Sequence, residues 1–115
     1  MNIAIIAADG ALNYRLVDKK INEIIEKTQD YGICILCGFI KGAESKEETL
    51  GEKWAKQNGA PIRWVHAKTA TKLMDAMILK ADYAIFILDG NPLINQALMR
   101  YKMAGKHGAV IKADI

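Results

Sequence analysis

Three acids and a lysine stand just past apolar runs in this 115-residue chain: Asp9 after Asn2–Ala8, Lys41 and Glu44 after Gly32–Cys37, and Asp89 after Tyr83–Leu88. A carboxylate so placed can accept hydrogen bonds from sugar hydroxyls or amino groups. It can also serve as a general acid or base. A lysine ammonium is a point charge suited to phosphate. Asn13, Asn91 and Asn95 add neutral polar groups in the same stretches. Gly10, Gly38, Gly42 and Gly90 let bare backbone approach a ligand. His66 ends a third apolar run, Ile62–Val65, and its imidazole is a candidate base.

Each of these residues also has a plain structural reading. Gly38 and Gly42 turn a chain, and their spacing lacks the Lys-Ser/Thr ending of a phosphate loop. Asp9 and Asp89 cap helices, and His66 packs at a strand end. Met74, Met77, Met99 and Met103 read as core filler. Only their expected meeting at one edge favours a small-molecule site.

Cys34 and Cys37 match the C-x-x-C spacing, but the pair falls inside an apolar run rather than at a helix start. Residues three apart on a strand point to opposite faces. Both are expected to be buried free thiols. No second cysteine or histidine pair completes a metal site, so neither metal nor cofactor is expected.

The elements that must position these residues alternate five times. Strands are expected at about Asn2–Ala8, Gly32–Cys37, Ile62–Val65, Tyr83–Leu88 and Ala109–Lys112. The first helix carries Val17, Ile21, Ile24 and Ile25 on one face. The second opens with a capping box, Ser45-x-x-Glu48, and stops at Asn58-Gly59 before Pro61. The third aligns Leu73, Met74, Met77, Ile78 and Ala81. The fourth begins at Asn91-Pro92 and buries Ile94, Ala97, Leu98 and Tyr101.

This alternation predicts an α/β, Rossmann-like three-layer α/β/α domain over residues 1–115, with a five-stranded parallel sheet. The expected order is 3-2-1-4-5, with 2-1-3-4-5 as the alternative. In such sheets the ligand crevice lies outside the carboxyl ends of the strands. Of the helix starts, the second is acidic (Glu44, Glu47, Glu48) and would repel a phosphate. The fourth has no acid after its cap, so an anion is expected there or in the Gly38–Gly42 loop.

Composition is that of an ordinary globular protein: 51% hydrophobic, 25% charged, net charge +3. The lysines are scattered, so nucleic acid is not an expected partner. No apolar run approaches the roughly 18 residues of a membrane span. The first residues lack a basic flank, and a cytoplasmic location is expected. A small domain this rich in apolar residues is expected to form a homodimer or higher homo-oligomer.

Two stretches resemble the SLOG superfamily, the Rossmann-like group that includes LOG-type nucleotide phosphoribohydrolases. Its small YspA-like branch is the most similar. One stretch is Cys37-Gly-Phe-Ile-Lys-Gly-Ala-Glu44, followed by Gly51-Glu-Lys-Trp-Ala-Lys-Gln-Asn-Gly-Ala-Pro-Ile62. The other is Met77-Ile-Leu-Lys-Ala-Asp-Tyr-Ala-Ile-Phe-Ile-Leu-Asp-Gly90, with Gly105-Lys106 before the last strand. The resemblance spans nearly the whole chain and implies a nucleotide-binding crevice. The departures bear on chemistry. The family's Gly-Ser-Arg after strand one is Asp9-Gly10-Ala11 here. Its Gly-Thr turn after strand four is Asn91-Pro92. The catalytic glutamate that LOG-type enzymes place just beyond that turn has no counterpart, since no acid occurs between Asp89 and Asp114.

The expected function is therefore binding without catalysis. The ligand is a nucleotide or nucleotide-derived small molecule, held for sensing or sequestration by Asp9, Gly10, Asn13, Gly38, Lys41, Gly42, Glu44, His66, Asp89, Gly90, Asn91 and Asn95. The first alternative is a nucleotide N-glycosidase using Asp89, Asp9 or Glu44 as its acid. The second is an assembly protein with a vestigial site.

Overall fold

A computed structural model describes residues 1–7, 14–40, 49–88, 92–105 and 108–112, the last stretch and residues 39–40 as backbone only. Five strands alternate with four helices. They are β1 Asn2–Ile6, α1 Tyr14–Thr28, β2 Cys34–Ile40, α2 Leu50–Asn58, β3 Ile62–Ala67, α3 Ala70–Lys80, β4 Tyr83–Leu88, α4 Pro92–Met103 and β5 Gly108–Lys112. All four strand pairings are parallel, and the sheet runs β3-β2-β1-β4-β5. The α/β class with a parallel sheet is the one the sequence predicts.

Strand periodicity divides the core in two. Ile3, Ile5, Ile35, Cys37, Ile85 and Ile87 project to one face, where Val17, Ile21 and Ile24 of α1 and Trp54 and Ala55 of α2 cover them. Ala4, Ile6, Leu36, Ala84 and Phe86 project to the other, under Met77 and Ile78 of α3 and Ile94, Ala97, Leu98 and Tyr101 of α4. Strands buried on both faces must be apolar throughout, which is why they read as continuous runs. Phe86 and Tyr101 stack tilted, with ring centroids 5.3 Å apart. Burial holds the Tyr101 phenol above its ordinary pKa.

A side-chain hydrogen bond locks the layer of α1 and α2. The Trp54 indole Nε1–H donates to Asp18 Oδ1 at 2.9 Å, tying α2 to α1. Helix α2 ends at Gly59 with φ of 66°, a left-handed turn that glycine takes without strain. On the central strand, the Asn2 N–H donates to Asp82 Oδ2 at 2.7 Å, which anchors the turn between α3 and β4.

Several boundaries differ from the sequence reading. β1 ends at Ile6 rather than Ala8. β2 does not stop at Cys37. It runs on to Ile40, because Gly38, Phe39 and Ile40 find ladder partners in Val65, His66 and Ala67, and β3 lengthens with it. The start of α2 is capped by Thr49, whose hydroxyl accepts from the Glu52 N–H at 3.1 Å. The expected box at Ser45 and Glu48 lies outside the described residues. Cys37 is buried but Cys34 is only partly so. Met77 is core and Met74 packs at its margin, whereas Met99 and Met103 are 65% and 86% exposed and fill nothing.

Candidate functional site

The strand order creates one topological switch point. From β1 the chain crosses by α1 toward β2 on one face of the sheet. From β4 it crosses by α4 toward β5 on the other. The adjacent carboxyl ends of β1 and β4, in register at Ile6 and Phe86, therefore have helix N-termini on opposite sides. An open crevice between them is the standard place for a ligand in this architecture.

The first turns at this edge carry an informative charge pattern. Helix dipoles favour acids in a first turn. α1, α3 and α4 have none there, and α2 alone has one, Glu52. α1 instead opens Tyr14-Arg15 with Arg15 exposed, and α3 has Lys72 beside its N-cap, Thr69. The Lys53 ammonium of α2 sits 5.1 Å from the centroid of the Tyr14 ring, a cation–π contact at the mouth of α1. Such first turns favour an anion. Tyr14 and Arg15 were not singled out by the sequence reading. A cation where the dipole disfavours one, directly after the first loop, was the available signal.

Of the twelve sequence-predicted ligand residues, Gly38, His66 and Asn95 fall among the described residues. Asn95 lies in the first turn of α4 and is exposed, at the switch point. His66 is exposed on β3, the edge strand. Three strand spacings separate it from β4, about 14 Å, so it does not share the β1/β4 crevice. Gly38 is no turn and offers no bare backbone on the α3 side. A Cβ there would lie 2.5 Å from Leu73 Cδ2 and 2.9 Å from its Cγ. The glycine exists to let α3 seat Leu73 on β2. Asp9, Gly10, Asn13, Lys41, Gly42, Glu44, Asp89, Gly90 and Asn91 lie outside the described residues.

The opposite edge of the sheet holds an open groove of about 440 Å³, between the C-terminal halves of α1 and α2 and the amino ends of β2 and β3. Ile25, Tyr31, Trp54 and Pro61 line it with Asn22 and Asn58. Of the predicted residues, the three described ones, Gly38, His66 and Asn95, do not line it. That groove lies off the carboxyl edge and meets no cluster of helix N-termini.

Cys37 packs under α2, where burial pushes its thiol up to about 11, an effect the Thr49 hydroxyl partly offsets. Such a thiol is inert at neutral pH. Cys34 and Cys37 are both free. Among the described residues, no three His, Cys, Asp or Glu side chains group to hold a metal ion, and no helix is long and apolar enough to cross a membrane. No protein-family model matches this chain, and no curated protein matches it.

Proposed function

We propose that the carboxyl edge of the sheet binds a nucleotide or nucleotide-derived small molecule at the β1/β4 switch point and returns it intact, as a sensor or sequestering protein. The observation that carries this reading is the juxtaposition at that edge. Two helix N-termini without acids flank the adjacent carboxyl ends of β1 and β4 from opposite faces, and Arg15 stands in the first of them. Anionic phosphate suits those N–H groups. Asp89, the next residue in sequence after β4, suits ribose hydroxyls or base amino groups. The resemblance to the SLOG superfamily supports the same ligand class.

The absence of cleavage rests on α4. Its sequence, Pro92 to Met103, contains no acidic residue. Glycosidic cleavage needs a carboxylate that stabilises or attacks the developing cation, and general acid–base help is worth about 10²–10⁴-fold. The test combines native mass spectrometry of the freshly purified protein, calorimetry and chromatography. A nucleotide is expected to co-purify. Asp89→Ala is expected to weaken its binding by about 1–3 kcal/mol through loss of a buried hydrogen bond. Release of free base on long incubation with nucleoside phosphates, lost in Asp89→Asn or Glu44→Gln, would establish the N-glycosidase instead.

A further inference from the structure

The two helical layers differ in what they show to solvent. Seven large apolar side chains stand exposed among the described residues, and four of them are on α3 and α4: Leu79 (76%), Leu93 (38%), Met99 (65%) and Met103 (86%). The layer of α1 and α2 shows only Leu16, at 42%. Exposed apolar residues scattered singly mean little. These are not scattered. Arg100 Nε donates to Asp75 Oδ1 at 2.8 Å, which joins α4 to α3. Both helices return antiparallel to the same parallel sheet and so run parallel to each other. One turn past the ion pair, α3 presents Leu79 and α4 presents Met103, with Met99 one turn before it. Leu93 and Arg100 lie two turns apart on one side of α4. The result is an apolar ridge along the seam, with an ion pair within it.

Charge says what covers it. α3 and α4 carry four cations, Lys72, Lys80, Arg100 and Lys102, against one acid, Asp75, which is already paired. α1 and α2 carry six cations and four acids. Helical periodicity places Lys80 and Lys102 on the outer flanks of the seam, and both are exposed. A second copy would bring like charge against like charge. A bilayer interface favours aromatic anchors, and the one aromatic side chain of α3 and α4, Tyr101, is buried. Exposed methionines with lysine flanks match an apolar helix face edged by acids. Methionine also repacks readily against different partners.

We infer that the α3/α4 seam docks an acidic amphipathic helix of another protein. The helices have 11 and 12 residues, so each offers about 17 Å of length. That accommodates roughly three turns of a partner, anchored at i, i+3, i+4 and i+7. An interface this short falls at the low end of size, with a Kd on the order of 10 µM.

The test uses a labelled designed helix with leucines at those spacings and glutamates on the flanks, followed by fluorescence anisotropy. A peptide with lysines in place of the glutamates is the control. Binding of the acidic peptide alone is expected, weakening as salt screens the flanks. The Leu79→Ser/Met103→Ser double variant should lower affinity at least about tenfold, while its unfolding midpoint stays close to wild type because both sites are exposed. Lys80→Glu/Lys102→Glu should abolish the preference for the acidic peptide. No binding, or equal binding of both peptides, would overturn the proposal. So would concentration-dependent dimerisation in ultracentrifugation that the double serine variant abolishes, which would give the seam to a second copy. Binding to phosphatidylserine vesicles without binding to the peptide would give it to a membrane.

Discussion

Replacing Gly38 by alanine tests how β2 and α3 fit together. An added Cβ would stand 2.5, 2.9 and 3.1 Å from Leu73 Cδ2, Cγ and Cδ1. These contacts involve the branch point of the side chain as well as its ends, so a rotation of one methyl does not clear them. Leu73 must change rotamer or α3 must lift from the sheet. Overpacking of this kind costs about 1–3 kcal/mol. Alanine also removes conformational freedom from the unfolded chain, which returns about 0.4–1 kcal/mol. The net expectation for Gly38→Ala is a loss of about 1 kcal/mol. Leu73→Ala removes the obstruction and, in the wild-type background, part of a hydrophobic contact. The two changes are therefore coupled. In a double-mutant cycle, the double variant should be more stable than the sum of the single effects by about 1 kcal/mol. Urea unfolding followed by circular dichroism supplies the three differences, and a slope of about 1–3 kcal/mol per molar resolves them. Additivity within about 0.5 kcal/mol, or an alanine variant as stable as wild type, would refute the claim that Gly38 is there for Leu73. It would return Gly38 to the ligand.

Two further expectations follow from buried polar groups. Cys37 has its thiol pKa raised from 9.0 to about 11 by burial, so the folded state holds its proton more tightly than the unfolded state. The stability this confers is complete below pH 9 and is lost as pH rises toward 11, by roughly 2–3 kcal/mol in all. The difference in denaturant midpoint between wild type and Cys37→Ala, measured across that range, should shrink as pH rises. A constant difference would contradict it. Trp54→Phe leaves Asp18 without its 2.9 Å donor and should cost about 1–3 kcal/mol. An unchanged midpoint would show that α1 and α2 are held by apolar contact alone.

Strands buried on both faces left continuous apolar runs in the sequence, and helices left three-and-four spacing. The parallel α/β class and the inner face of α4, Ile94 to Tyr101, could therefore be read directly. Strand ends could not, because hydrogen-bond partners decide them. Gly38 looks like a stop, but Val65 across the ladder and Leu73 above it keep it in the strand. The cap of α2 was ambiguous for a different reason. Ser45-x-x-Glu48 and Thr49-x-x-Glu52 satisfy the same pattern, and only the 3.1 Å bond from the Glu52 N–H identifies Thr49 as the cap of α2. Met99 and Met103 were grouped with the core by residue type, although helical periodicity sets them away from Ile94, Ala97, Leu98 and Tyr101. The proposed site is a property of topology. Asn95 could be placed from sequence, and His66 could be named. Its separation from β4 depends on β3 being at the edge.

The most direct test of the central claim is amide chemical-shift mapping of the isotope-labelled protein titrated with a panel of nucleoside mono-, di- and triphosphates. The account predicts saturating shifts that cluster at the first turns of α1 and α4, at Tyr14–Val17 and Leu93–Gln96, on both sides of the β1/β4 switch point. The amides of Trp54, Asn58 and Ala60 at the opposite edge should stay in place. Saturating shifts confined to that opposite groove, or none anywhere with any member of the panel, would contradict it.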